Sequence, residues 1–184
     1  MKIALAVIAT LLVTLLVLNL TTSEKKVQRK IESLYSVSDD QFARTMGSLL
    51  GPSLVAGNSV VDLQNGDAIF PAMLEAIASA RRSICFETYI YWSGATGQKF
   101  ADALGERAAA GIPVHLLVDY VGSGRMDEAL LSGLRARGVS IHKYHPPRFY
   151  NLSRMNNRTH RKLLIVDGRV GFTGGVGIAD KWNG

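Results

Sequence analysis

The chain has 184 residues, 47% of them hydrophobic and 20% charged. That is enough for one globular domain with an appendage and too apolar for wholesale disorder. A net charge of +6 and a sequence pI near 9.6 favour anionic partners such as phospholipid headgroups, nucleic acid or phosphorylated small molecules. The single cysteine, Cys85, excludes a disulfide framework and a Cys/His zinc pattern, and no metal or other cofactor is expected.

From Ile3 to Leu20 the chain reads IALAVIATLLVTLLVLNL, without a charge. At ~1.5 Å per residue this run covers most of a bilayer core, so it reads as an N-terminal transmembrane helix. It is longer than the apolar region of a signal peptide, and Asn19 to Glu24 offers no small-x-small cleavage site. Lys2 precedes the run, whereas Lys25, Lys26, Arg29 and Lys30 follow it. The positive-inside rule then gives a single-pass protein of the cell (inner) membrane with its downstream domain in the cytoplasm. The organisation expected is an anchor at 1–22, a juxtamembrane linker at 23–52 and a globular domain at 53–184. Within the linker Val27, Ile31 and Leu34 have helical spacing in a basic segment, and Gly47, Gly51 and Pro52 interrupt the pattern.

Strand-like and helix-like segments alternate from Asn58 onward. Ser59 to Leu63 is a strand candidate, and Asp67 to Ala80 is a helix with Ile69, Met73, Leu74 and Ile77 on one face. Ser83 to Trp92 is a strand rich in aromatic and β-branched residues, and a helix from Thr96 to Ala110 closes at Gly111 and Pro113. Val114 to Tyr120 is nearly all apolar and reads as a strand buried on both faces. A helix at Asp127–Arg137 and a strand at Val139–Tyr144 follow. The fold class is therefore α/β, with a largely parallel sheet flanked by helices on both sides. Gly122-Ser123-Gly124 begins a dinucleotide fingerprint but has Asp127 where the third glycine belongs, so it reads as a tight strand-to-helix turn.

The most informative segment is Thr159-His160-Arg161-Lys162-Leu163-Leu164-Ile165-Val166-Asp167, followed by Gly174-Gly175. His160 and Lys162 are two apart on a segment becoming a strand, which puts a nucleophile and a cation on one face and Arg161 on the other. Asp167 with Gly168 turns the chain into a second strand, Arg169 to Thr173. A carboxylate at Glu87 interrupts an apolar strand and needs either a partner or a functional face, as does Asp119 at the end of its strand. His115, His142 and His145 lack metal-ligand spacing.

This pattern, His-x-Lys-x4-Asp-x6-Gly-Gly, resembles the HKD motif of the phospholipase D superfamily. YNLSRMNNRTHRKLLIVDGRVGFTGGVGIADKW is similar to the first motif of bacterial cardiolipin synthases, and NGDAIFPAMLEAI, FETYIYWSG and LLVDYVGSG extend the likeness back to Asn65. The family often has Asn where this chain has Gly177, and its members carry two HKD motifs where this chain has one. The resemblance implies His160, Lys162 and Asp167 as catalytic residues, with Glu87, Asp119, Gly174 and Gly175 supporting them. It implies His160 as the nucleophile that forms a phosphohistidine, Lys162 as the cation on a non-bridging oxygen, and Asp167 as an orienting group. The implied reaction is phosphatidyl transfer, two phosphatidylglycerol molecules giving cardiolipin and glycerol. Alternatives are hydrolysis by a phospholipase D, phosphodiester cleavage in nucleic acid (disfavoured by the anchor) and a noncatalytic membrane module. The implied partners are an anionic phospholipid substrate, the membrane, and a C-terminal HKD half supplied in the same chain or by a homodimer partner. By itself the chain is expected to be inactive.

Overall fold

The computed structural model describes residues 2–21, 35–51, 54–146 and 157–184. The chain divides into two compact units, Met1–Asp62 and Leu63–Gly184. In the first, α1 spans Lys2–Thr21 and α2 spans Asp40–Leu50. The α2 N-terminus is capped by Asp39, whose side chain accepts from the Gln41 amide at 2.7 Å. Gly51 ends it with φ of 84°, a left-handed conformation that glycine adopts without strain. Gly47 stays within the helix, while the spaced residues Val27, Ile31 and Leu34, and Pro52, lie outside the described residues.

The transmembrane expectation is corrected. Among the described residues no helix is long and apolar enough to cross a membrane. The run from Ile3 to Leu20 rises ~27 Å at ~1.5 Å per residue, less than a hydrocarbon core of ~30 Å, and Thr10, Thr14 and Asn19 interrupt it. The single-pass placement falls with it, and so does the cytoplasmic orientation inferred from its flanking charges.

The strand expected at Ser59–Leu63, where the two units meet in sequence, does not form. Val60 and Val61 are exposed and the segment joins no ladder, which leaves its apolar side chains nothing to pack against. The regular elements are α3 (Asn65–Ala78), β1 (Ile84–Thr88), α4 (Ala95–Ala109), β2 (Val114–Asp119), α5 (Glu128–Ala136), β3 (Ser140–Tyr144), β4 (Leu163–Val166) and β5 (Val170–Thr173). A 3-10 turn, Asp180–Trp182, follows.

The sheet order is β3-β2-β1-β4-β5. The β1–β2 and β2–β3 pairs are parallel, because α4 and α5 carry the chain back to the same end between strands. The β1–β4 and β4–β5 pairs are antiparallel, so the sheet is mixed and not largely parallel. For β5 the local cause is an Asp167-Gly168 turn with φ of 56° and 66°, the two positive values of a type I′ hairpin. Arg169 N–H closes it on the Val166 carbonyl at 3.0 Å.

Helical cover is also one-sided among the described residues. Ile84, Phe86, Val114, Leu116, Val118, Leu164 and Val166 form one buried cluster with Phe70 and Ile77 of α3, Phe100 and Leu104 of α4, and Leu131 and Leu134 of α5. The intervening residues Cys85, His115 and Ile165 are exposed and Leu117 is half-buried. The nearly all-apolar β2 is thus buried on one face only.

Candidate active site

The site forms on the open face, at the carboxyl end of β1, where the extended segment 157–162 crosses before β4 begins. Two carboxylates hold that segment. Buried Asp119 accepts the Thr159 amide through Oδ2 at 3.2 Å, and its Oδ1 takes the Val121 and Gly122 amides at 2.9 and 3.0 Å. Glu87 accepts from the Thr159 hydroxyl and, at 3.1 Å, from the Arg161 guanidinium. The Glu87 side chain is 12% exposed and that of Arg161 74% exposed. The buried carboxylate is therefore the structural partner, and the arginine screens it from the solvent side.

Thr159 and Arg161 thus meet Glu87, while the alternate residues His160 and Lys162 meet Tyr89. The His160 ring centroid lies 5.2 Å from that of Tyr89, and the Lys162 ammonium lies 5.6 Å from the same ring. The segment keeps strand-like alternation although β4 starts only at Leu163. The Lys162 ammonium also donates to the His160 backbone carbonyl at 2.7 Å, which ties the lysine side chain to the backbone of the histidine two residues before it. Partial burial lowers the Lys162 pKa from the usual lysine value. His160 itself is exposed, so its ring is accessible to a substrate.

Tyr89 was missed as a site residue because FETYIYW has four aromatics in one run and periodicity alone does not single one out. Its position two residues after Glu87 on the same strand face is the signal that was available.

Asp167 lies at the other end of β4 and does not join this group. Its carboxylate accepts three successive backbone amides: Arg81 at 2.9 Å, Arg82 at 2.7 Å and Ser83 at 3.0 Å. Its own amide donates to the Ser83 carbonyl at 2.9 Å. These bonds, led by the one from Ser83, hold its pKa below the usual aspartate value. The orienting role expected of Asp167 therefore falls on the strand end and the entry to β1; four strand residues separate it from the imidazole.

Gly174 and Gly175 follow β5 in open space, with nothing within 4 Å of an added Cβ. Gly177 is different: a Cβ there would come within 2.8 Å of Ile90 Cβ and 3.0 Å of the Trp182 ring. Close packing thus accounts for glycine where an asparagine was anticipated. Gly122 is likewise required, because its Cβ would lie 2.0 Å from the Tyr89 carbonyl oxygen. This explains the Gly122-Ser123-Gly124 turn without a nucleotide.

His115 and His142 are exposed on strands away from this group, and His145 packs against Tyr144. Among the described residues no group of three or more His, Cys, Asp or Glu is placed to hold a metal ion. The arrangement offers an accessible imidazole next to an ammonium, on a strand end braced by carboxylates. Chemically that suits attack on, and charge neutralisation of, a phosphoryl group.

Comparison with known proteins agrees with this geometry. The family model described as "Cardiolipin synthase, PLD-like domain" matches residues 73–182. A cardiolipin synthase of Geobacillus thermodenitrificans is 38% identical over 134 residues, 72% of this chain and 26% of that protein. Cardiolipin synthase A of Pseudomonas fluorescens SBW25 is 34% identical over 156 residues, 83% of this chain and 33% of that protein. The chain therefore spans about a quarter to a third of the length of these relatives. A solved phospholipase D family member, Nuc of Salmonella typhimurium, shares the fold with a TM-score of 0.50 at 19% identity, covering 64% of this chain and 69% of that one.

Proposed function

The chain belongs to the family of phospholipase D-like domains of cardiolipin synthases, and from that premise we propose that it carries one half of a phosphatidyl-transfer site. The domain proposed to do so spans residues 53–184. The observation that carries the reading is the shared position of His160 and Lys162 against Tyr89, with Glu87 holding the residues between and before them.

In the proposed reaction a neutral His160 nitrogen attacks the phosphorus of one phosphatidylglycerol. The bond from phosphorus to the glycerol oxygen breaks, and glycerol leaves with a proton from a second histidine. Histidine suits both tasks because its unperturbed pKa, about 6.5, allows either protonation state near neutral pH. Lys162 neutralises a non-bridging oxygen as charge develops there. A hydroxyl of a second phosphatidylglycerol then attacks the phosphohistidine and gives its proton to the second histidine. The phosphorus–nitrogen bond breaks, and cardiolipin forms. Water in place of that hydroxyl gives hydrolysis.

His160 cannot be nucleophile and proton donor in one displacement, so the second histidine comes from a C-terminal HKD half or from a second copy of the chain. Full-length protein, or this chain complemented by the C-terminal half, tests the assignment. His160→Ala should abolish phosphatidyl transfer, and Lys162→Ala should lower it by ~10²-fold or more. Near-native transfer in His160→Ala would remove the assignment, and cleavage of single-stranded DNA in place of lipid turnover would move the substrate to nucleic acid.

A further inference from the structure

A second cationic group lies at the same end of the sheet and takes no part in the scheme above. The Arg125 guanidinium is 4.4 Å from the centroid of Trp92, and the Lys181 ammonium is 4.8 Å from the same ring and 4.0 Å from that of Trp182. The two indoles are 6.4 Å apart. Backbone bonds fix the arrangement: Trp92 N–H donates to the Ile178 carbonyl and Ile178 N–H to the Ile90 carbonyl, both at 2.9 Å, bringing the 3-10 turn beside the end of β1. The Trp92 indole N–H donates to the Gly122 carbonyl at 2.9 Å, and Gly122 is the residue pressed against Tyr89. Tyr89 and Trp92 are three residues apart, so at most ~11 Å of chain separates them.

Neither cation has a carboxylate partner among the described residues. The acidic side chains nearest them in sequence are committed elsewhere. Asp127 caps α5 by accepting the Leu130 amide at 2.8 Å, and Asp180 caps α4 through the Ala95 and Thr96 amides at 3.1 and 2.7 Å. Two like charges over one indole repel each other, and the ring face offsets only part of that repulsion. An anion between or beside them converts the repulsion into attraction. Both cations are exposed, so an anion reaches them from solvent.

We infer that Trp92, Trp182, Arg125 and Lys181 form a second phosphodiester subsite, which seats the phosphate of the acceptor lipid. This rests on the transfer reaction proposed above. An acceptor phosphatidylglycerol carries its own phosphodiester, one glycerol's length from the hydroxyl that attacks. A transferase of this kind therefore needs a second anion site close to, but separate from, the phosphoryl group at His160. A hydrolase, whose acceptor is water, does not.

The experiment uses the fact that the sequence has only two tryptophans and both are in the subsite. Tryptophan emission of the chain carrying His160→Ala is titrated with dihexanoyl phosphatidylglycerol, dihexanoyl phosphatidylcholine and inorganic phosphate. The expected result is a saturable change with phosphatidylglycerol, an affinity at least ~10-fold weaker for the other two, and a loss of at least ~10-fold when Arg125→Gln and Lys181→Gln are combined. An unchanged response in that double variant, or an equal response to inorganic phosphate, overturns the subsite. In the full-length protein the same double variant should lose transfer to phosphatidylglycerol while retaining hydrolytic cleavage of the donor; equal loss of both contradicts an acceptor role. A wild-type protein that binds the lipid but transfers nothing refutes the transferase reading instead, and a chain whose emission ignores the lipid refutes the subsite.

Discussion

Replacing Glu87 by alanine should release the segment that carries His160 without unfolding the domain. The Thr159 hydroxyl is buried, and loss of its acceptor leaves a buried donor unsatisfied at a cost of about 1–3 kcal/mol. The Arg161 pair adds little, ~0–1 kcal/mol, because that guanidinium is largely in solvent. The Thr159 amide keeps its bond to Asp119, so the segment stays tethered at one point. A cost of ~1–3 kcal/mol raises the population of the opened segment ~5- to 150-fold. Hydrogen exchange at the amides of residues 159–162 should accelerate by that factor, while amides of β1 and β2 keep their protection. Glu87→Gln retains an acceptor oxygen for Thr159 and should show a smaller acceleration. Unchanged exchange at 159–162 in Glu87→Ala would refute the claim that this carboxylate braces the site.

Asp167 gives a pH-dependent prediction. Its folded pKa is depressed by three backbone amides, so its contribution to stability is present above the unfolded aspartate value of ~3.9 and is lost as pH falls below it through the folded value. Chemical unfolding measured across that acid range should show a shallower loss of stability in Asp167→Asn than in the wild type; parallel curves would count against the amide nest. The glycines separate into required and dispensable positions. Gly122→Ala and Gly177→Ala meet backbone or core atoms within 3 Å and should destabilise by ~1–3 kcal/mol. Gly174→Ala enters open space and should change stability by less than ~0.5 kcal/mol, as read by urea unfolding.

Helical spacing of apolar residues located α3, α4 and α5 to within a few residues, apolar and β-branched runs located β1, β2 and β3, and the Asp167-Gly168 turn located β4 and β5. Strand direction was harder to read. β4 carries the same apolar text whether parallel or antiparallel to β1, and the choice depends on the path of the connection, which periodicity does not encode. One-sided helical cover was hidden for a related reason: Leu117 and Ile165 are apolar yet face the open side, so β2 and β4 look fully buried in sequence. The Val-rich run before α3 failed as a strand because β structure requires a partner ladder. In α1 the apolar text was visible but its length was overrated.

At the candidate site the motif spacing singled out His160 and Lys162, and the structure places both against Tyr89. The motif does not distinguish residues that share a surface from residues that share a strand. Asp167 belongs to the second kind, tied to the entry of β1 at the far end of β4. Glu87 and Asp119 drew notice as carboxylates in apolar strands, and both bind Thr159. The two-residue spacing of Glu87 and Tyr89 was legible in the sequence, but that Thr159 and Arg161 meet the one while His160 and Lys162 meet the other emerges only when segment 157–162 is brought to the strand end.

The account's central claim is that His160 is the nucleophile of a site completed by a second half. It is tested most directly by trapping the covalent intermediate. Full-length or complemented protein is mixed with phosphatidylglycerol, quenched in alkali to preserve a phosphorus–nitrogen bond, and digested for mass spectrometry. A phosphatidyl group on the peptide containing His160, present only when the second half is supplied, is the predicted result. Modification of another residue, or full turnover with no adduct at His160, would contradict it.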